Sequence, residues 1–473
     1  MSPAKKTRKV KSAKSHSRGG RSREQILTQS ALRRIAERVF KLSDADETEV
    51  MIDGTSDALT RFANNTIHQN VAELNVSISV RTVFDGRTAR ATTNSTDDES
   101  LARVVAASSA IAKSQPKNPH MLPMLGPQKY ARVTRFFDST ASYTPQDRAK
   151  AVARVCAAAT KRKQTVAGIF TTGATQTALI NSRGLFATHQ QTRGEFSITV
   201  LEADSSGWQK ANSPDVTKID PDALFARASE KCTASRTPKE LDPGRYTVIL
   251  EPAAVLDLVG FLFYDFAGTA VMDQRSCFNN RIGKQVMGQN ITISDDVYHP
   301  LQTGAPYDGE GIPRQKVLLV DKGTPRNLVY SRATAKQMPR EFKAKPTGHG
   351  FPLPNEYGEA PMNLVFAGGK TSLDEMIAST DRGILVTRLW YIREVDPYEK
   401  VLTGMTRDGT FLIERGKLAG GIRNFRFNQG ILEMLSNVEA MSEPVRAAGE
   451  ESFEMVVPAM KVRGFHFSEV TKF

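Results

Sequence analysis

Between residues 25 and 92 the apolar period changes once, from that of a helix to that of a strand, and this limits the chain to folds that lay helices on a sheet. Ile26, Leu27, Leu32, Ile35, Ala36, Val39 and Phe40 recur at helical spacing, so residues 25 to 42 are predicted to form a helix. From Glu49 the alternation is two: Glu49-Val50-Met51-Ile52, Thr60-Arg61-Phe62-Ala63 and Asn75 to Val80 read as half-buried strands. Asp85-Gly86 supplies a tight turn into a further strand at Arg87–Thr92. Thr96 and Glu99 then open a helix with Leu101, Val104, Val105 and Ile111 on one face and the small Ser108 between the last two.

Residues 114 to 142 are proline-containing and aperiodic. Thr144-Pro145-Gln146-Asp147 starts an alanine-rich helix to about 163, and strand signals return at 165–171, 176–180, 185–190 and 194–203. This order predicts an α+β domain on a mostly antiparallel sheet over residues 25–240. Residues 241–473 carry short strand candidates separated by glycine-containing turns, among them 317–320, 363–366, 384–386 and 410–413. They predict a second, β-rich and barrel-like domain with a few helices, one at 252–267 and one at 371–379 opened by Ser372. A length of 473 residues fits two cores better than one. No repeat of 20 to 50 residues is visible.

The formal charge of +13 is concentrated at one end. Residues 1–24 hold nine Lys or Arg against Glu24, a net +8, which leaves +5 for the other 449 residues. That segment is also poor in large apolar residues and is predicted to be a disordered basic tail. A weak interaction with nucleic acid is conceivable there, while the nearly balanced body argues against a large phosphate-binding surface. Cys156, Cys232 and Cys277 are odd in number and far apart, as reduced thiols in a cytoplasm would be. No apolar run has the length of a membrane span or a secretory signal, so a cytoplasmic protein without membrane contact is expected.

The helix predicted at 252–267 ends in Tyr264-Asp265-Phe266-Ala267-Gly268-Thr269. Two histidines with a glutamate beside the first would hold a metal and activate its water; the residues here are Tyr264, Asp265 and Thr269. Val255, Leu258, Val259, Leu262, Phe263 and Phe266 give the same helix a broad apolar face, which packing alone explains. Asp295-Asp296 and Asp308-Gly309-Glu310-Gly311 have carboxylates at cation-binding spacing, and also the composition of ordinary turns. Gly369-Lys370-Thr371 lacks the earlier glycine of a phosphate loop, with Leu364 in its place. Arg407 and Asp408, between Gly404 and Gly409, are substrate-contact candidates, since a guanidinium clamps a peptide carboxylate or carbonyl; an internal Arg407–Asp408 pair or hairpin tip is the plainer reading.

Taken in order, Leu59-Thr60-Arg61-Phe62-Ala63-Asn64-Asn65-Thr66-Ile67-His68-Gln69, Asn181-Ser182-Arg183-Gly184, Ile291 to Asp296, Pro306 to Gly311, Pro346-Thr347-Gly348-His349-Gly350 and Thr403 to Lys417 resemble the TldD/PmbA family over about residues 50 to 440. The resemblance implies a metalloprotease-related protein. Its catalytic members have an HExxxH zinc helix with a later cysteine ligand, and the TldE (PmbA) partner of the TldD metalloprotease lacks that set. Tyr264 and Thr269 stand at the two histidine positions and Asp265 at the glutamate, and no cysteine follows Cys277.

These departures point to the non-catalytic side of the family, a pseudoenzyme in a heterodimer. The expectation is a chain with no catalytic residue and no metal of its own, zinc residing in a TldD-like partner, and an unfolded or short peptide as substrate. Two other readings stay open at this stage. One is a stand-alone metallopeptidase assembled from Asp265, Asp295, Asp308 and Glu310; the other is a nucleic-acid-associated regulator acting through residues 1–24.

Overall fold

The computed structural model describes residues 27–471, so the tail at 1–24 lies outside the described residues. The first half is one six-stranded antiparallel sheet. Its strands are β1 (Glu47–Ala63), β2 (Thr66–Phe84), β3 (Arg87–Thr93), β4 (Thr165–Asn181), β5 (Phe186–Leu201) and β6 (Ser206–Ser213), in the order β3-β2-β1-β4-β5-β6. Segments predicted as separate strands at 49–52 and 60–63 run together as β1, and those at 165–171 and 176–180 as β4. The β1–β4 ladder pairs Glu49 with Asn181 through to Phe62 with Gly168. Cross-strand hydrogen bonds on both sides of β1 keep Gly54 and Asp57 extended despite their weak strand preference.

Five helices accompany this sheet: α1 (Gln29–Leu42), α2 (Asp98–Ser114), the short α3 (Asp138–Ala141), α4 (Pro145–Lys161) and α5 (Pro221–Ala234). α1 and α2 bury Leu32, Val39, Leu101 and Val104 against Val50, Ile52, Ile78 and Ile180, whereas α4 and α5 bury Val152, Val155, Phe225 and Cys232 against Phe62, Phe170 and Phe196. The predicted caps hold at α4, where Thr144 and Asp147 bond reciprocally, and shift by one residue at α2, where Asp97 accepts from the amide of Ser100. Ile111 is not on the buried face: it is 43% exposed, and Ala112 takes its place beneath the helix.

The two halves of this sheet share one plan. Helix, three antiparallel strands and helix (α1-β1-β2-β3-α2) recur as α4-β4-β5-β6-α5, with β1 and β4 side by side at the centre. The spacing from β1 to β4 far exceeds the 20 to 50 residues of a short repeat.

The second half starts with β7 (Gly244–Leu250), α6 (Pro252–Val259) and α7 (Gly268–Met272). It continues through β8 (Ile293–Asp295), β9 (Val317–Asp321), β10 (Thr324–Pro325) and β11 (Leu364–Phe366) to β12 (Arg382–Asp396), β13 (Val401–Glu414), β14 (Lys417–Gly421) and β15 (Phe425–Gly430). β16 (Val438–Met441), β17 (Val445–Ala447), β18 (Met455–Val457) and β19 (Met460–Val470) complete it. One sheet runs β12-β7-β19-β15-β13, and β12 also pairs with β13, which closes a ring; β14 extends it and β16 pairs with β19. A second sheet has the order β10-β9-β8-β11-β18-β17. The largest core lies here and joins α6 to Val248, Leu250, Ile384, Phe427 and Phe465.

The bare face of the first sheet packs on this half. Arg446 Nε donates to Asn212 Oδ1 at 2.7 Å, Lys210 Nζ to the Gly449 carbonyl at 2.9 Å, and Arg90 Nε to the Leu353 carbonyl at 2.8 Å.

Candidate functional site

β7 delivers the chain through Glu251 and Pro252 into α6, and proline at the first helical position needs no amide partner there. The α-helix does not run to residue 267 as the sequence predicts. It tightens into a 3-10 turn at Gly260–Phe266, and Ala267 is extended (φ −75°, ψ 134°) before α7 begins. Gly268 lies against the ring of Tyr330, where an added Cβ would stand 2.5 Å from ring carbon, so the chain bends where only glycine fits. Tyr264 and Thr269 therefore belong to two different helical segments, with an extended residue between them.

Each of the three positions has its own partners. Tyr264 Oη donates to the Tyr357 carbonyl at 3.1 Å, Arg275 lies 5.8 Å from its ring centroid, and partial burial raises its phenol. Asp265 accepts from the Cys277 amide at 2.7 Å and meets Lys400 Nζ at 2.6 Å; Lys400 is also 2.7 Å from Glu394. Burial raises the Asp265 carboxyl, against the pull of the Lys400 ammonium. Thr269 donates from its amide and its hydroxyl to Glu359 Oε1 at 2.8 and 3.0 Å. Glu359 is fully buried, and its other oxygen accepts from the Ser331 amide at 2.9 Å and from Thr334 Oγ1 at 2.7 Å.

This donor set does not fit zinc. A zinc ligand must offer a free lone pair, usually imidazole, thiolate or carboxylate; here the phenol and the Thr269 hydroxyl act as donors to protein oxygen, and an ammonium sits on the one carboxylate. Gly358 has the tight approach that such packing requires, an added Cβ falling 2.2 Å from Thr269 Oγ1.

The remaining acids have separate anchors. Asp295 accepts from His349 Nε2 at 2.9 Å and from the Asn363 amide at 2.7 Å; burial would raise it, but His349 and Arg314 together hold it below its usual value. Asp308 accepts three amides, those of Glu310, Ile312 and Gly350, within 2.8 to 2.9 Å, which is the work of a turn aspartate. Glu310 accepts from the Arg332 amide at 2.9 Å, and burial pushes its carboxyl up to about 7. Asp308 and Glu310 share one turn, the Glu310 amide donating to Asp308 and the Asp308 charge adding to the rise of the Glu310 carboxyl, while Asp265 and Asp295 have partners of their own.

Arg407 and Asp408 lie on neither a hairpin tip nor the 264–269 segment. They are inside β13, where Asp408 (φ 51°) and Gly409 (φ 130°) form a bulge opposite Thr387, between the pairs Val386–Thr410 and Arg388–Arg407. Eight residues separate Asp408 from Lys400, about 25 Å along an extended strand. The partner of Asp408 is Arg388, which donates through Nε at 2.9 Å and through Nη2, and Ser206 Oγ adds a bond at 2.7 Å. Arg388 stacks 4.9 Å from Trp208 and 5.7 Å from Trp390. Arg407 is half exposed and also lies against Trp390, 4.8 Å from its ring centroid, with Nε 3.6 Å from Asp408. Sequence reasoning missed Lys400, Glu359 and Arg388. None has a local motif, because each meets its partner only when distant strands and loops close on one another.

Three sequence profiles cover most of this architecture: PmbA/TldA metallopeptidase domain 1 over residues 48–112, the central domain over 139–236 and the C-terminal domain over 243–469. The chain belongs to the TldD/PmbA family. The first two profiles are the two halves of the single six-stranded sheet. Among solved structures, TldE from Thermococcus kodakarensis superposes with a TM-score of 0.83 at 20% identity, covering 92% of this chain and 99% of that one, which establishes the shared fold. A metalloprotease of Methanothermobacter thermautotrophicus is 23% identical over 291 residues, 57% of this chain and 60% of its own length. The metalloprotease PmbA of Escherichia coli O157:H7 is 20% identical over 296 residues, 60% of this chain and 61% of its own. The matched stretches therefore span about three fifths of these two relatives. Among the described residues no helix is long and apolar enough to cross a membrane.

Proposed function

We propose that this chain is the TldE-like, metal-free subunit of a two-component metallopeptidase, which shapes a chamber for unfolded or short peptides around a zinc-bearing TldD-like partner. The observation that carries the reading is the state of the family's zinc-helix positions: Lys400 neutralises Asp265, and buried Glu359 holds both donors of Thr269. A metal would have to displace an ammonium and break a buried network, and leaving such groups unpaired costs about 1–3 kcal/mol apiece, more for charges.

A partner finds exposed apolar area nearby. Tyr357, whose carbonyl accepts from Tyr264, is 67% exposed, and Tyr398, whose hydroxyl donates to the Gln274 carbonyl beside Arg275, is 54% exposed. Tyrosine at such density suits a protein interface. Arg407 supports the chamber role more than catalysis, because its guanidinium is accessible while its neighbour Asp408 is engaged elsewhere.

The test is cleavage of an unstructured peptide by the purified chain, by its HExxxH-bearing homologue and by the two together. Cleavage appearing or rising steeply only in the mixture supports the reading. Chelator-sensitive cleavage by this chain alone would refute it.

A further inference from the structure

β3 covers β2 only from Ile78 to Phe84, so the outer edge of Thr66–Ser77 pairs with no strand among the described residues. That leaves twelve residues, about 40 Å of backbone, with donors and acceptors facing outward. The segment Thr-Ile-His-Gln-Asn-Val-Ala-Glu-Leu-Asn-Val-Ser has few of the devices that blunt an edge: it holds no proline, lysine or arginine and Leu74 is 56% exposed, with Glu73 its one charge and a bulge at His68, where Arg61 faces Gln69 and Phe62 faces Ile67.

The molecule contains its own precedent for what such an edge accepts. In the second half of the sheet β6 likewise covers only the later part of β5, from Gly194. The earlier part is met by an extended segment lying alongside: Arg135 bridges to Gln191, and the Thr192 amide donates to the Arg135 carbonyl at 2.9 Å. The matching place on β2 is open.

Charge beside the open edge selects the occupant. Asp57 on β1 lies directly opposite Glu73 on β2 in the ladder, two like charges in facing positions, an arrangement that destabilises a sheet. They line a cavity of about 250 Å³ with Leu59, Val71, Gly173 and Arg193. Arg193 pairs with Glu195 at 3.1 Å and with Glu454 at 3.8 Å and acts on Asp57 only from a greater distance, so neither Asp57 nor Glu73 has an ion pair among the described residues.

We propose that the Thr66–Ser77 edge binds an extended peptide by strand addition, with a lysine or arginine of the peptide seated against the Asp57–Glu73 pair. Main-chain bonds along the edge supply affinity that is indifferent to sequence, and the acidic pair supplies a preference for basic residues. A second copy of the chain fits less well, because its own edge brings no lysine or arginine to this pair.

The site needs no partner subunit, so it is measured on the full chain alone, and failure of the two-component assembly would leave it standing. The probe is a fluorescein-labelled, unstructured decapeptide of Ser, Thr and Val with one central Lys, read by anisotropy at low salt. Binding is expected, about fivefold or more weaker when the central residue is Glu, the worth of one partly exposed ion pair. N-methylation of alternate peptide amides should weaken it by about tenfold or more through lost main-chain bonds. The Glu73→Lys chain, melting no lower than the parent because its new ammonium faces Asp57, should reverse the order of the Lys and Glu peptides. Equal binding of the two peptides, indifference to N-methylation, or no binding at all, whether the chain sediments as monomer or dimer, overturns the proposal.

Discussion

Asp408 accepts from Arg388 on β12 and from Ser206 at the start of β6, so one carboxylate ties the closed ring to the first sheet. Removing that charge leaves Arg388, buried beside Trp208 and Trp390, with only the more distant Glu450 carboxylate at 3.8 Å. Asp408→Asn is expected to destabilise the chain by about 1.5–3 kcal/mol, the worth of charge-assisted hydrogen bonds, whereas Arg407→Ala, losing a half-exposed cation–π contact, should cost about 1 kcal/mol or less. Thermal melts of the two variants check this; equal losses would contradict the assignment of Arg388 as the true partner. If Arg407 contacts peptide, its alanine variant lowers cleavage by the assembled pair while melting normally. The sequence made Arg407 and Asp408 visible as a polar pair between glycines, but not which was structural, because Arg388 stands twenty positions away and meets Asp408 only across the β12–β13 ladder.

Among elements, α6 and the loop that follows β17 form a clasp. Asp257 on α6 is fully buried and accepts the amides of Glu450 and Glu451, with Gly449 so close that an added Cβ would meet its carboxylate at 2.1 Å. Burial pushes its carboxyl up to about 7, with the two amides opposing. The folded value lies above the unfolded one, near 3.9; the contribution of this group is therefore complete below that value and is lost as pH rises through 7. Stability should fall between pH 5 and 8 by an amount on the order of 3 kcal/mol, Glu310 adding in the same direction. Denaturant titrations of Asp257→Asn should show a flatter profile, and an unchanged slope would exclude Asp257 as its source. The bend after the 3-10 turn gives a second expectation: Gly268→Val should lower the melting temperature by several degrees, since its side chain would enter the Tyr330 ring. Sequence periodicity marked Val255, Leu258 and Val259 on α6 and Leu262 in the turn after it, all buried, but α6 is enclosed on every side, Leu256 and Asp257 being buried as well. It could not register the change of helix type, because Gly260, Gly268 and the packing of Tyr330 set it from outside the window.

For the whole molecule, the α+β first half and the ring-like β-rich second half were legible in the alternation of periods and in the turn residues, and capping signals located α4 and the helix at Leu373–Ala378 closely. What local reading lost was continuity: β1, β4 and β5 are single long strands, since ladder bonds on both sides outweigh local preference, and the doubled α-β-β-β-α plan appears only when β1 and β4 are seen side by side. The family was legible because its motifs recur in order, although no one of them is decisive. The central claim is that zinc belongs to the partner subunit. Elemental analysis of chelator-free preparations tests it most directly. The account expects no stoichiometric zinc in this chain alone and about one zinc per pair when it is purified with its HExxxH homologue; about one tightly held zinc in this chain alone would contradict it.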